Sequence, residues 1–165
     1  MIILGIDPGL ATTGWGVIKK EQQAISMLGY GVVQTKPGLN RGKRFKEIYL
    51  GLAKIISKYK PEVVAVEKLF FFKNLKTALP VSEARGVVLL LVEQKKKKIV
   101  ELTPLEVKMG ICGYGRADKK QIQKMVQKIL YLKELPKPDD ASDALAAAIC
   151  CGFLKCAKTF PQQRS

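Results

Sequence analysis

"IILGIDPGLATTGWGVIKK" (2–20), followed closely by "AISMLGYGVVQT" (24–35), decides how this chain folds. "IILGID" (2–7) is a short apolar run that stops at Asp7-Pro8-Gly9, a turn signal, so it reads as a buried strand. "GWGVIKK" (14–20) and residues 24–35 read as the next two strands, and their close spacing predicts an antiparallel meander after the first.

Beyond the meander the period changes. "KPGLNRGKR" (36–44) is a basic loop, and a helix of roughly 42–59 follows with Phe45, Ile48, Leu52, Ile55 and Ile56 on one face. "PEVVAVE" (61–67) is a β-branched run and reads as a buried strand ending at Glu67. "KLFFFKNLK" (68–76) is a loop or helix entry, a helix covers 77–95, and "IVELTP" (99–104) is the fifth strand. Further helices are predicted over 104–110, 118–132 and 139–157, and "KTFPQQRS" (158–165) reads as a flexible basic tail. With no internal repeat or linker, residues 1–157 are expected to form a single α/β domain: a five-stranded mixed sheet flanked by helices. The helix carrying "GVVLLLV" (86–92) is apolar on every side, which predicts cover by the sheet and by a second copy of the chain.

The chain has 165 residues, with 29 basic against 14 acidic, a net charge of +15. That imbalance points to nucleic acid as the partner, ahead of an anionic membrane or mere solubility. The longest apolar run, "VVLLLV" (87–92), falls far short of the roughly 20 residues that a membrane span needs. "MIILGI" is too short for a signal-peptide core, and the expected location is the cytoplasm. Cys112, Cys150, Cys151 and Cys156 form no CxxC, and histidine is absent, so no zinc site is expected and the cysteines read as core packing.

Against this basic background, "PDDASDALAAA" (138–148) sets three aspartates within five positions. On a helix Asp140 and Asp143 share a face, which Ala144, Ala147 and Cys151 continue with small side chains. Such a face can press close to a sheet and bring both acids to Asp7 and Glu67, the carboxylates at two strand ends. Asp139, about 100° around the helix from Asp140, reads as the helix cap. Four gathered carboxylates repel one another, and protonation, pairing with Lys or Arg, or a divalent metal relieves them. Magnesium and manganese suit an all-oxygen donor set. Two such ions can activate a water and stabilise a leaving oxygen, the chemistry that cuts a phosphodiester without a histidine base. Taken singly, Asp7 could be only a turn residue, Glu67 an exposed strand end, and Asp139 and Asp140 helix-start acids.

Phe70, Phe71 and Phe72, flanked by Lys68, Lys73 and Lys76, could stack on unpaired bases while the lysines meet phosphates, or could fill core. The tracts "RGKR" (41–44) and "KKKK" (95–98) could bind backbone without reading sequence, or simply be solvated.

Four segments together resemble the RuvC family of Holliday-junction resolvases: "GIDPGLATTGWGV" (5–17), "VEKLFFFKN" (66–74), "ARGV" (84–87) and "DASDALAAAI" (140–149). The resemblance keeps motif order and spacing over almost the whole chain. It implies an RNase H-like fold and a homodimer that nicks two strands of a four-way DNA junction symmetrically, leaving 5′-phosphate ends. It further implies dependence on Mg²⁺, two ions per site with Mn²⁺ able to substitute. By the matching motifs, Asp7, Glu67, Asp140 and Asp143 would hold the metals; some members carry histidine where this chain has Asp143. Phe70 matches the family aromatic that contacts bases near the crossover, and the run of three phenylalanines leaves open which of them does so. Lys108 and Lys119 fall where family basic residues approach the scissile phosphate. The resemblance also implies work alongside the RuvA–RuvB branch-migration complex.

Two other classes compete. "DPGLATTGWG" resembles the phosphate-binding turn of actin-like ATPases and sugar kinases, where the hydroxyls of Thr12 and Thr13 would suit phosphate. A basic, non-enzymatic DNA-binding protein would explain the charge but not the acids. A nuclease of RNA–DNA hybrids would share the chemistry.

Overall fold

The computed structural model describes residues 1–68 and 75–157. Ten elements follow in chain order: β1 (Ile2–Asp7), β2 (Thr12–Glu21), β3 (Ala24–Gln34), α1 (Arg41–Tyr59), β4 (Val63–Glu67), α2 (Leu75–Gln94), β5 (Lys98–Leu102), α3 (Pro104–Cys112), α4 (Lys119–Ile129) and α5 (Asp139–Ala157). The strands form one sheet in the order β3-β2-β1-β4-β5. β1, β2 and β3 pair antiparallel, as the close spacing predicts, while β4 and β5 run parallel to β1.

Alternation along the strands divides the core in two. Leu4, Ile6, Val17, Val64 and Val66 face one side, where they meet Ile48, Leu52 and Ile56 of α1 and Val88, Leu91 and Val92 of α2. The intervening residues face α5, with α3 and α4 packed outside it. Ile3, Ile18 and Val63 fill one end of this second face, and toward the strand ends that carry Asp7 and Glu67 it narrows to Gly5, Gly14, Gly16 and Ala65. A Cβ on Gly5 would lie 1.9 Å from the Ala144 carbonyl oxygen, and one on Gly14 would lie 1.9 Å from that of Asp140. Glycine here lets the helix backbone rest directly on β1 and β2.

Several boundaries move, each for a local reason. β2 starts at Thr12 rather than at 14 because Thr12 and Thr13 already pair with Gln34 and Val33. β4 starts at Val63 rather than 61, since Pro61 has no N–H to donate. β5 ends at Leu102 because Thr103 becomes the cap of α3: its hydroxyl accepts from the Glu106 N–H, and the Glu106 carboxylate accepts from the Thr103 N–H. α4 ends at Ile129 rather than 132. Tyr131 turns left-handed at φ 52°, and the Gln127 side chain donates to the carbonyls of Leu132 and Lys133. α5 covers the predicted span.

Candidate active site

The acids reach one another through the register of the sheet. Ile6 is paired with Val66 across the parallel β1–β4 ladder, so Asp7 and Glu67 follow side by side at the strand ends. Both continue the α5-facing series, after Gly5 on β1 and Ala65 on β4. On the other flank Asp7 pairs with Gly14, and it is over Gly14 that the backbone of Asp140 lies. Asp143 follows one turn further along α5. Three elements distant in sequence thus bring four carboxylates into mutual electrostatic range.

Their surroundings resist ionisation. Burial, reinforced by the charges of Glu67, Asp143 and Asp140, raises the Asp7 pKa to about 8, against a smaller lowering by Lys119. Glu67 rises to about 7 through burial and the charge of Asp143. Asp143 is also raised, first by burial, although its hydrogen bond and charge contact with Lys119 oppose the shift.

Lys119, the first residue of α4, is the cation among these acids. Its Nζ lies 3.1 Å from Asp143 Oδ2 and 3.2 Å from Asp139 Oδ2. Burial alone would lower its pKa, but the hydrogen bonds and charges of Asp143 and Asp139 carry it upward, so it stays an ammonium. The helix start that presents it is fixed by a reciprocal cap between Asp118 and Gln121. Beside this pair opens a cleft of about 200 Å³, lined by Glu67, Asp143, Lys108, Lys119, Pro104 and Ile122 among others. Two carboxylates and two lysines lining one cleft form a site suited to a phosphate approached by a cation.

The donor set is all oxygen and carries more negative charge than Lys119 balances, which fits a hard divalent ion. Among the described residues no three acids already converge at ligating distance on one point; the ammonium of Lys119 lies against Asp143 instead.

Of the residues singled out from sequence, Asp7, Glu67, Asp140, Asp143, Lys108 and Lys119 gather here. Phe70, Phe71, Phe72 and Lys73 lie outside the described residues, as does the side chain of Lys76. Asp139 is not the flanking cap. It is the first helical residue, the helix-opening carbonyl is that of Pro138, and the Asp139 carboxylate turns to α4, where Oδ1 accepts from Gln123 Nε2 at 2.9 Å. Of the small face expected to approach the sheet, Ala144 does so; the other closest neighbours of the sheet glycines are Asp140, Leu145 and Ala148. Ala147 and Cys151 are buried nearby. The Thr13 hydroxyl, a phosphate ligand in the actin-like reading, donates to the Gly9 carbonyl inside the turn. In the "RGKR" tract, Arg41 pairs with Glu83 and Arg44 Nε donates to Thr35. No local pattern announces the Gln123–Asp139–Lys119 linkage, which joins residues 16 and 20 apart.

An RNase H-like sheet, with carboxylates at the ends of β1 and β4 and on the helix crossing them, defines a nuclease-like α/β architecture. The family model described as "Crossover junction endodeoxyribonuclease RuvC" matches residues 3–151, and the chain belongs to that family of metal-dependent nucleases. It is 52% identical over 151 residues to the crossover junction endodeoxyribonuclease RuvC of Caldicellulosiruptor saccharolyticus, covering 91% of each chain. It is 53% identical over 150 residues to that of Alkaliphilus oremlandii, covering 91% of this chain and 92% of the relative. Its structure matches that of Thermus thermophilus RuvC in complex with Holliday junction substrate with a TM-score of 0.87 at 31% identity, covering 96% and 98% of the two chains. The yeast mitochondrial Holliday junction resolvase shares the fold at a TM-score of 0.67, with 13% identity and coverage of 93% and 80%.

Proposed function

We propose that this protein is a Holliday-junction resolvase: an endonuclease that makes symmetric paired nicks in four-way DNA junctions during recombination and repair, leaving 5′-phosphate ends. The observation that carries the reading is the meeting of Asp7, Glu67, Asp140 and Asp143 from β1, β4 and α5 in a RuvC-family chain of net charge +15. These four acids would hold Mg²⁺, two ions per site, with Mn²⁺ as a substitute. Bound there, such ions supply an activated water and stabilise the leaving oxygen. The chain's own residues do the rest. Burial around Asp7 and Glu67 keeps the floor of the site short of water. Lys119 and Lys108 face the cleft, where their ammonium groups meet the scissile phosphate and hold it in line. Phe70 and Phe71, with Lys73 and Lys76, would engage bases and backbone at the crossover.

Two-fold cutting calls for two sites related by symmetry. α2 offers the surface for a homodimer: Leu79 and Leu90, eleven residues apart and so on one stripe, are 68% and 56% exposed, with open space at Gly86 between them. Residues 1–157 would act as one nuclease domain, with 158–165 as a basic tail. Family membership favours work beside the RuvA–RuvB complex in the cytoplasm. No helix among the described residues is long and apolar enough to cross a membrane.

The test is cleavage of an end-labelled synthetic four-way junction beside a linear duplex and an RNA–DNA hybrid, with Mg²⁺ and with EDTA. Paired symmetric nicks on the junction alone, requiring Mg²⁺, are expected. Binding without cutting across several junction sequences would overturn the reading in favour of a DNA-binding module, and cutting of the hybrid would make it a different nuclease.

A further inference from the structure

Lys119 stands between two carboxylates that differ in everything but distance. Asp143 is half-buried, lines the cleft and acts on the charges of both Asp7 and Glu67. Asp139 is exposed, does not line the cleft, and contributes to neither of those two acids. It is nonetheless held firmly: Gln123, itself 9% exposed, donates to Oδ1 at 2.9 Å and so aims Oδ2 at the ammonium.

We propose that Asp139 is a positioning residue: a second anchor that receives the Lys119 ammonium when Asp143 turns to the metal, and keeps that ammonium at the cleft for the phosphate. The proposal deepens the functional reading and rests on Asp143 being a metal ligand. A divalent cation at Asp143 Oδ2 would repel an ammonium 3.1 Å from the same oxygen. A lysine with nothing else to hold it would swing away on its four-carbon stem. With Asp139 3.2 Å away, it needs only to give up one of two partners. The pair therefore has two effects. Asp139 eases metal entry by drawing Lys119 off Asp143, and it leaves the cation aimed at the cleft afterwards.

The experiment is a metal titration of the full chain without DNA, reading the Mn²⁺ concentration at the midpoint of the metal-induced rise in Tm. Wild type, Asp139→Asn, Lys119→Met and the double variant form a cycle. Asp139→Asn is expected to raise the midpoint roughly three- to five-fold, the size of an exposed ion pair. Lys119→Met is expected to lower it, because the competing cation is gone. In the Lys119→Met background, Asp139→Asn should shift the midpoint by less than roughly 1.5-fold, and Asp139→Glu should restore most of the wild-type value. On the junction, Asp139→Asn should lower kcat more than it raises KM, with junction affinity in EDTA unchanged. An equal shift in both backgrounds would reduce Asp139 to a general charge and overturn the proposal, as would no shift in either. Because no DNA is present, the cycle is readable whether or not the junction is the substrate, so a failure of the resolvase reading is seen separately, in the wild-type cleavage assay.

Discussion

The two faces of the sheet are packed by opposite means. Toward α1 and α2 the strands present Leu4, Ile6, Val17, Val64 and Val66, and a layer of branched side chains separates helix from sheet. Toward α5 they present Ile3, Ile18 and Val63 at the far end, but Gly5, Gly14, Gly16 and Ala65 nearer the acids, and at Gly5 and Gly14 backbone meets backbone. A layer of side chains can repack when one of them changes, so the first face sets stability more than geometry. A backbone contact has no such freedom. The acids stand on the second face, where the positions of Asp140 and Asp143 above Asp7 are fixed by glycine rather than by rotamers.

That contrast can be broken or sharpened by experiment. The largest effect is expected from Asp7→Asn, which removes one of the four acids: junction cleavage should fall roughly 10³-fold or more, while junction binding persists. In the metal-free protein the same change should raise Tm by a few degrees, because it relieves a buried, mutually repelling carboxylate. Cleavage at wild-type rate would remove Asp7 from the site.

Next in size, Gly14→Ala should force α5 off the sheet and cost more cleavage than stability. Leu52→Ala on the opposite face should show the reverse, losing about 2–5 kcal/mol while the folded fraction still cuts. The pair is read by urea unfolding beside single-turnover cleavage, and equal losses of both properties in both variants would erase the distinction between faces.

Smaller still is a pH effect. Asp7 and Glu67 titrate at about 8 and about 7 in the fold, above the ordinary carboxylate range. The folded state thus keeps protons that the unfolded chain releases, so metal-free stability should decline as pH rises from about 4 through about 8. Added Mg²⁺ should restore more Tm at pH 8.5 than at pH 6, as seen in a thermal melt; a larger gain at pH 6 would contradict the burial of these acids. The smallest effect is expected from Lys19→Ala, which breaks an exposed pair with Glu21 far from the site and should leave Tm within about one degree and cleavage unchanged.

The sheet and the acid quartet were legible because their signals are local or periodic. A β-branched run ending in Glu67, an apolar run ending in Asp7 and a three-residue spacing on a small-residue helix each survive without knowledge of the fold. The meander followed from spacing alone. Glycine's role was harder to see, because Gly5, Gly14 and Gly16 look like weak strand residues until a helix is laid over them. Apolar residues at 129, 130 and 132 extended α4 on paper, yet Gln127 captures the carbonyls beyond and ends it. The pairing of Asp139 with Lys119 had no signal at all: it depends on how two helices meet, not on any spacing within one.

The order of the elements along the chain has a consequence for biosynthesis. Among the described elements, β1 carries the first acid and is made before the others, while α5 carries the last two and is made after them. Until α5 settles on the glycines of β1 and β2, Asp7 and Glu67 stand at strand ends without their partners. The four acids therefore meet only when α5 docks, so the site is completed by folding of the whole sheet-and-helix unit rather than by any one segment.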